Sequence, residues 1–170
     1  EAHRILRPKQ IIAADIAEEM MEIGRKKVRA KRLEQVISFE RQASESMTFP
    51  DNTFHAVISS FGVRNFQSID QSFQEVLRVL KPGGVFLFLE LSTPELSPAK
   101  ELYALYSKHV MPVMAGLFTK NEKEYAYLPN SVALFPQGRE MMAILNKNGF
   151  RAIRLRRFTL GIATMYLAEK

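Results

Sequence analysis

Ser60, Gly62, Arg64 and Asn65 fall within one short stretch, Ser59-Ser60-Phe61-Gly62-Val63-Arg64-Asn65-Phe66, and together have the chemistry of a site. Glycine lets the backbone approach a ligand closely, and arginine offers a rigid fork of donors suited to an oxyanion. The stretch follows the apolar run His55 to Ser60 and precedes a helical pattern at Ile69, Phe73, Val76-Leu77 and Leu80. It therefore lies beyond the carboxyl end of a strand, where open α/β sheets bind their ligands. A lone arginine in a loop is also commonly a surface residue, and both readings stand.

Asp15 is the second candidate. It ends the run Gln10-Ile11-Ile12-Ala13-Ala14-Asp15, at the position where nucleotide-binding α/β folds place a carboxylate on ribose hydroxyls. An N-cap for a helix starting at Ala17 explains it equally well. Ile16 and Met20-Met21 could wall an adenine ring or pack as ordinary core. His109 follows Tyr103 and Tyr106 at i, i+3, i+6 spacing, a face that either lines an aromatic ligand pocket or packs on another helix. His3, His55 and His109 are scattered, so no metal site is expected. No serine sits in a nucleophile elbow, and no G-x-x-x-x-G-K phosphate loop occurs.

These residues need a scaffold, and the chain of 170 residues has room for one domain with a core. Its 46% hydrophobic and 25% charged residues are ordinary for a soluble protein. No apolar run approaches the ~20 residues that span a bilayer. The chain has no cysteine, which excludes disulfides, thiolate nucleophiles and thiolate metal sites and fits a reducing compartment. The net charge of +6 suits an anionic partner, such as nucleic acid or a lipid surface, as well as a merely solvated exterior.

Strands are expected at Gln10–Asp15 (buried on both faces), Val36–Arg41, His55–Ser60 and Val85–Leu91. Helices are expected from Ala17 to about Lys31 and from Ile69 to Leu80, the second ended by Pro82-Gly83-Gly84. This alternation means an α/β fold with a mostly parallel sheet. Ser97 to Tyr127 breaks the rhythm as a helical insertion interrupted by Pro112, so residues 97–130 are read as a cap within a single domain over residues 1–170. Phe135 to Asn148 reads as a helix stopped by Gly149. Phe150–Thr159 and Ile162–Ala168 then form a hairpin through Leu160-Gly161, with Ile153 and Leu155 inward and Arg154 and Arg156 outward. The opening Glu1-Ala2-His3-Arg4-Ile5-Leu6-Arg7-Pro8 has the spacing of a helix end stopped by proline, so the chain is expected to be a fragment.

Several blocks carry a family resemblance. They are Ala14-Asp15-Ile16 with Met20-Met21, Phe49-Pro50-Asp51-Asn52-Thr53-Phe54, Ser60-Phe61-Gly62-Val63-Arg64-Asn65 and Leu80-Lys81-Pro82-Gly83-Gly84. Leu89-Glu90-Leu91-Ser92-Thr93-Pro94, Tyr106-Ser107-Lys108-His109-Val110-Met111-Pro112, Tyr125-Ala126-Tyr127-Leu128 and Phe135-Pro136 complete the set. Together they resemble the class I S-adenosylmethionine (SAM)-dependent methyltransferases, and within them the C-methyltransferases of ubiquinone and menaquinone biosynthesis. The Lys-Pro-Gly-Gly turn is shared by many methyltransferases. The Gly-X-Arg-Asn and Tyr-Ser-X-His blocks are more specific.

The resemblance implies a Rossmann-like fold with a C-terminal antiparallel hairpin, lacking the family's first strand and its glycine-rich loop. That strand would lie between those ending at Asp15 and Ser60, so exposed edges and a homodimer are expected. It also implies methylation of a ring carbon of an isoprenoid quinol. Asp15 would bind the ribose of the methyl donor, beside Ile16. Ala43 and Ser44 would lie along its adenine, and Ser60 would complete that pocket. Arg64, Asn65, Tyr106 and His109 would face the quinol. The family usually has an acidic residue at Ala43 and an aspartate at His55.

Methylation at carbon requires loss of a phenolic proton, and a free phenol titrates near ~10. Arg64 would stabilise the phenolate; a guanidinium is a poor base, and His109 is the better one. The expected setting is cytoplasmic, in transient contact with the inner face of a membrane, without nucleic acid. The chain alone is expected to be inactive. A binding-only relative, or a methyltransferase acting on RNA or another small molecule, is the alternative.

Overall fold

The structure is a computed structural model and describes residues 4, 7–105 and 131–170. Packing divides the chain into two compact units, Glu1–Thr48 and Phe49–Lys170.

In the first unit, strand β1 (Ile11–Asp15) leads through helix α1 (Glu18–Ala30) into strand β2 (Ile37–Arg41). The strands pair in parallel, from Ile11 opposite Ile37 to Asp15 opposite Arg41, which requires a crossover of the kind α1 supplies. Glu18 and Glu19 sit in the first turn of α1 and Lys27 and Arg29 in the last, each complementing the helix dipole. Gly24 lets α1 come close to β2: a Cβ there would lie 2.5 Å from the Phe39 ring. Met21 is buried, whereas Ile16 and Met20 are 59% and 58% exposed and so do not pack as core. Burial of β1 on both faces is also not observed. Ile11 to Ala13 are half-buried, and Ala14 and Asp15 are exposed, because this unit covers β1 with one neighbouring strand and one helix.

In the second unit, strand β3 (Phe54–Ser60), helix α2 (Ile69–Val79) and strand β4 (Leu80–Leu91) form another parallel crossover. Ser68 caps α2, its Oγ accepting from the Gln71 N–H at 3.3 Å. Helix α3 (Ala99–Leu105) follows, then α4 (Arg139–Lys147) and the antiparallel strands β5 (Arg151–Phe158) and β6 (Ala163–Glu169). The sheet order is β3-β4-β6-β5. Its core is aromatic: Phe73 meets Phe86 edge-on at 5.5 Å, and Phe88 stacks on Tyr166 at 4.8 Å.

The α/β class and the terminal hairpin agree with the sequence. Three details differ. The Lys-Pro-Gly-Gly segment is not a plain helix stop. Leu80 already pairs with Phe54, the chain bulges, and the ladder resumes at Ala56 opposite Val85. A Cβ on Gly84 would lie 2.8 Å from the Lys81 carbonyl oxygen, so the bulge needs glycine. The expected helix from Phe135 to Asn148 is broken at Gly138, whose φ of 57° is left-handed. The Gly138 N–H donates to the Tyr166 hydroxyl at 2.7 Å instead of continuing a helix. Finally, the described strands form two sheets, β1-β2 and β3-β4-β6-β5, rather than one. Ile58, on the edge strand β3, is 52% exposed. Of the expected cap, only α3 and its flanks are described; Tyr106 and His109 lie outside the described residues.

Candidate active site

In the second unit the site is built at the carboxyl ends of β3 and β4. Ser60 is the last residue of β3 and is exposed. Phe61 continues the pairing, its N–H donating to the Leu89 carbonyl at 2.8 Å, and then turns with φ 58°. A left-handed conformation at an aromatic residue costs of order ~1–3 kcal/mol and marks places where surroundings dictate the backbone. Gly62, which the sequence suggested for close backbone approach to a ligand, has an ordinary φ of −110°. Phe61 takes the strained position because its carbonyl accepts from Arg64 Nη1 at 3.1 Å. A single 3₁₀ turn over Val63–Asn65 follows, anchored by the fully buried Val63. It leaves Asn65 exposed, its N–H bonded to the Gly62 carbonyl.

Arg64 is not a surface residue. Its side chain is only 12% exposed and pairs with Glu90, at 1%, through Nη1 to Oε2 at 2.7 Å. The other carboxylate oxygen, Oε1, accepts from the Arg64 backbone N–H at 3.2 Å. Both carboxylate oxygens of Glu90 are thus committed to the one residue, by side chain and by main chain. Nε of Arg64 is buried and has no hydrogen-bond partner among the described residues. Such a pair loses much of its Coulombic gain to desolvation, so it specifies geometry more surely than it adds stability.

Glu90 is the site residue that sequence reasoning missed. The signal was present: β4 alternates, with Phe86, Phe88 and Glu90 buried on one face. Period two therefore puts a carboxylate among phenylalanines, where it requires a partner. Beyond it, Ser92 Oγ donates to the Gly161 carbonyl at 2.7 Å and lies 2.8 Å from Thr164 Oγ1, fastening the hairpin turn to the end of β4.

In the first unit, the ends of β1 and β2 come together, the Gln42 N–H donating to the Asp15 carbonyl at 3.1 Å. Asp15 does not cap the helix directly, since α1 starts at Glu18. Its Oδ1 accepts from the Ala17 N–H at 2.9 Å, two residues on, and shapes the turn into α1. The other oxygen makes no hydrogen bond among the described residues. Ala43 pairs with Ser46 in an isolated bridge, and the Gln42 amide ties that loop to Thr48 through Oγ1 and N–H. Asp15, Ile16, Ala43 and Ser44 therefore share one end of this unit. An exposed carboxylate oxygen without a partner, beside two exposed apolar side chains, Ile16 and Met20, fits a ribose and an adenine edge. Ala43 brings no side-chain acceptor for the adenine amino group.

A sequence model of the ubiE/COQ5 methyltransferase family matches residues 2–170. The chain belongs to that family. It is accordingly part of a SAM-dependent methyltransferase, as its sequence motifs implied. Among curated relatives, demethylmenaquinone methyltransferase of Bacteroides fragilis is 43% identical over 165 residues, covering 97% of this chain and 67% of that protein. The protein of the same name from Porphyromonas gingivalis is 38% identical over 162 residues, covering 95% and 66%. The ubiquinone/menaquinone biosynthesis C-methyltransferase UbiE of Geobacter sulfurreducens is 42% identical over 160 residues, covering 94% and 62%. The chain thus spans about two thirds of the length of these relatives. Solved structures agree on the fold: the cyclase SpnF superposes with a TM-score of 0.72 at 16% identity, covering 99% of this chain and 69% of its own. A SAM-dependent methyltransferase from Aquifex aeolicus gives 0.63 at 17%, covering 94% and 68%. That one of these neighbours is titled a cyclase shows why the fold alone does not give the reaction.

Proposed function

We propose that this chain carries the quinol-facing wall and part of the donor pocket of an enzyme that methylates a ring carbon of an isoprenoid quinol in quinone biosynthesis. The names of its relatives support that substrate class. The observation that carries the residue-level reading is the Arg64–Glu90 pair. A guanidinium at the carboxyl end of β3 and β4, held on one side by a buried carboxylate, is a fixed donor for an oxygen that gains negative charge. SAM, when bound, supplies an electrophilic methyl group on a positively charged sulfur. Toward it, Asp15 offers its unbonded oxygen to the ribose, Ile16 an apolar surface, and Ala43 and Ser44 the loop along the adenine; Ser60 is assigned to the donor on the sequence pattern alone. Toward the quinol, Arg64 holds the phenolate oxygen and Asn65 presents an exposed amide.

A phenol that titrates near ~10 in water is largely protonated at neutral pH, so an adjacent fixed cation is the natural means of favouring its anion. His109 serves as base and Tyr106 as a neighbouring wall on the sequence pattern alone, within the cap of residues 97–130. A substrate with an isoprenoid tail brings the enzyme to the inner face of a membrane, as a transient surface contact. No helix among the described residues is long and apolar enough to cross one. The proposal includes pairing of two copies through strand edges and no role for nucleic acid.

The test is transfer of labelled methyl from SAM to a demethylated quinol by the full-length enzyme, with the Arg64→Gln variant alongside. Carbon-bound label that depends on Arg64 is the expected result. Label on oxygen, or equal transfer by the variant, would overturn the assignment.

A further inference from the structure

The reading above treats Glu90 only as the ion-pair partner of Arg64, although Glu90 is the most deeply buried carboxylate among the described residues. Three facts define its position. It accepts from the Arg64 backbone N–H and from Nη1 of the same residue, so it fixes both the turn and the side chain. Nη1 is shared between Glu90 and the Phe61 carbonyl, which leaves it no further proton for a ligand. Phe61 itself is held left-handed, with its N–H on Leu89, the residue before Glu90.

The guanidinium is therefore clamped by one nitrogen, and the rest of its fork makes no hydrogen bond among the described residues. A free arginine side chain carries substantial rotamer entropy. A catalytic donor that must be placed to within about 0.5 Å is held by a partner that removes that freedom in advance. A lysine in the same place would have no second nitrogen to offer once one was clamped.

We propose that Glu90 is a positioning residue for methyl transfer: it presets the Arg64 guanidinium by Nη1, with Nε buried, and leaves Nη2 for the substrate oxygen. The inference rests on the reading of Arg64 given above. It also has a consequence that a simple charge argument would miss. The pair is electrically neutral, so removing the Glu90 charge makes the site more positive. If charge alone mattered, Glu90→Gln would favour the phenolate and raise activity on the acid side. If presetting matters, the same change lowers kcat because Arg64 loses its clamp.

The experiment is a double-mutant cycle in the full-length enzyme with Arg64→Gln, Glu90→Gln and both together, and with Glu90→Asp as the charge-retaining variant that shortens the reach. Turnover is measured across pH, SAM affinity by calorimetry, and folding by thermal melting. We expect Glu90→Gln and Glu90→Asp each to lower kcat about tenfold or more with SAM affinity unchanged. In the Arg64→Gln background, Glu90→Gln should then cost nothing further, because there is no guanidinium left to place. Additive losses in the cycle, or a kcat for Glu90→Gln at or above that of the parent at low pH, would overturn the proposal. Full activity of Arg64→Gln would instead overturn the role of Arg64 itself, whatever Glu90 does. Should Glu90→Gln not fold, Glu90→Asp decides the matter by the same split between kcat and SAM affinity.

Discussion

The two strand ends that this chain offers to ligands are built in opposite ways. At the end of β1, Asp15 is exposed, uses one oxygen to shape the turn into α1 and leaves the other to solvent. At the ends of β3 and β4, Arg64 is largely withdrawn from water and bound by a carboxylate that is 1% exposed. Under the proposed roles, the difference follows from what each would have to do. A carboxylate that recognises neutral hydroxyls needs only to be reachable. A cation that must meet a developing anion acts more strongly where water is excluded, but it then needs a built partner to be tolerated there. On the proposed reading, recognition is left wet and chemistry is kept dry.

That contrast predicts a hierarchy of stability effects. Arg64→Ala strands the Glu90 carboxylate and should destabilise the fold by about 3–5 kcal/mol in urea unfolding. Asp15→Ala should cost no more than about 1 kcal/mol, the value of one exposed turn bond. Similar losses at both positions would remove the distinction.

The dry side extends to Tyr166, which stacks on Phe88 and accepts from the Gly138 N–H. Tyr166→Phe should cost about 1–3 kcal/mol, because that N–H loses its acceptor. Burial first of all raises the Tyr166 pKa above its ordinary value. Above pH ~10 the unfolded chain releases the phenolic proton while the folded one retains it, so stability falls as pH rises there. The phenylalanine variant should flatten that alkaline slope in melting curves, and an unchanged slope would place the titration elsewhere.

The smallest effect belongs to a pair left in water. Asp70 is held below its usual pKa by the Asn148 amide first and Lys147 second, at 2.6 and 2.9 Å. A depressed folded pKa gives stability that is present above the unfolded value and is lost as pH falls through the folded one. Asp70→Asn should therefore lose stability slightly at neutral pH and converge with the parent in acid. An unchanged gap below pH ~3 would contradict the linkage.

The elements that read clearly from sequence are those whose residues decide locally. The apolar stripe Ile69, Phe73 and Val76 places α2, and alternation in β5, with Ile153 and Leu155 against Arg154 and Arg156, places the hairpin. What failed needed distant partners. The break at Gly138 depends on a tyrosine hydroxyl 28 residues later. The left-handed Phe61 depends on Arg64 taking its carbonyl, and no local preference would put an aromatic there. Arg64 itself left loop and site readings equally open because its environment is set by Glu90, 26 residues on. Asp15 was legible as a strand-end carboxylate. Its two roles were not separable until the structure showed that shaping the helix start uses one oxygen and leaves the other.

The most direct test of the division between a wet recognition site and a dry chemical one is SAM titration by calorimetry alongside turnover, in the full-length enzyme, for Asp15→Asn and Arg64→Gln. Asp15→Asn should weaken SAM binding by about tenfold or more, the worth of a bond to a charged acceptor. Arg64→Gln should lower turnover by about a hundredfold, as loss of an oxyanion donor does, with SAM affinity unchanged. Equal loss of binding and turnover in both variants would contradict the account.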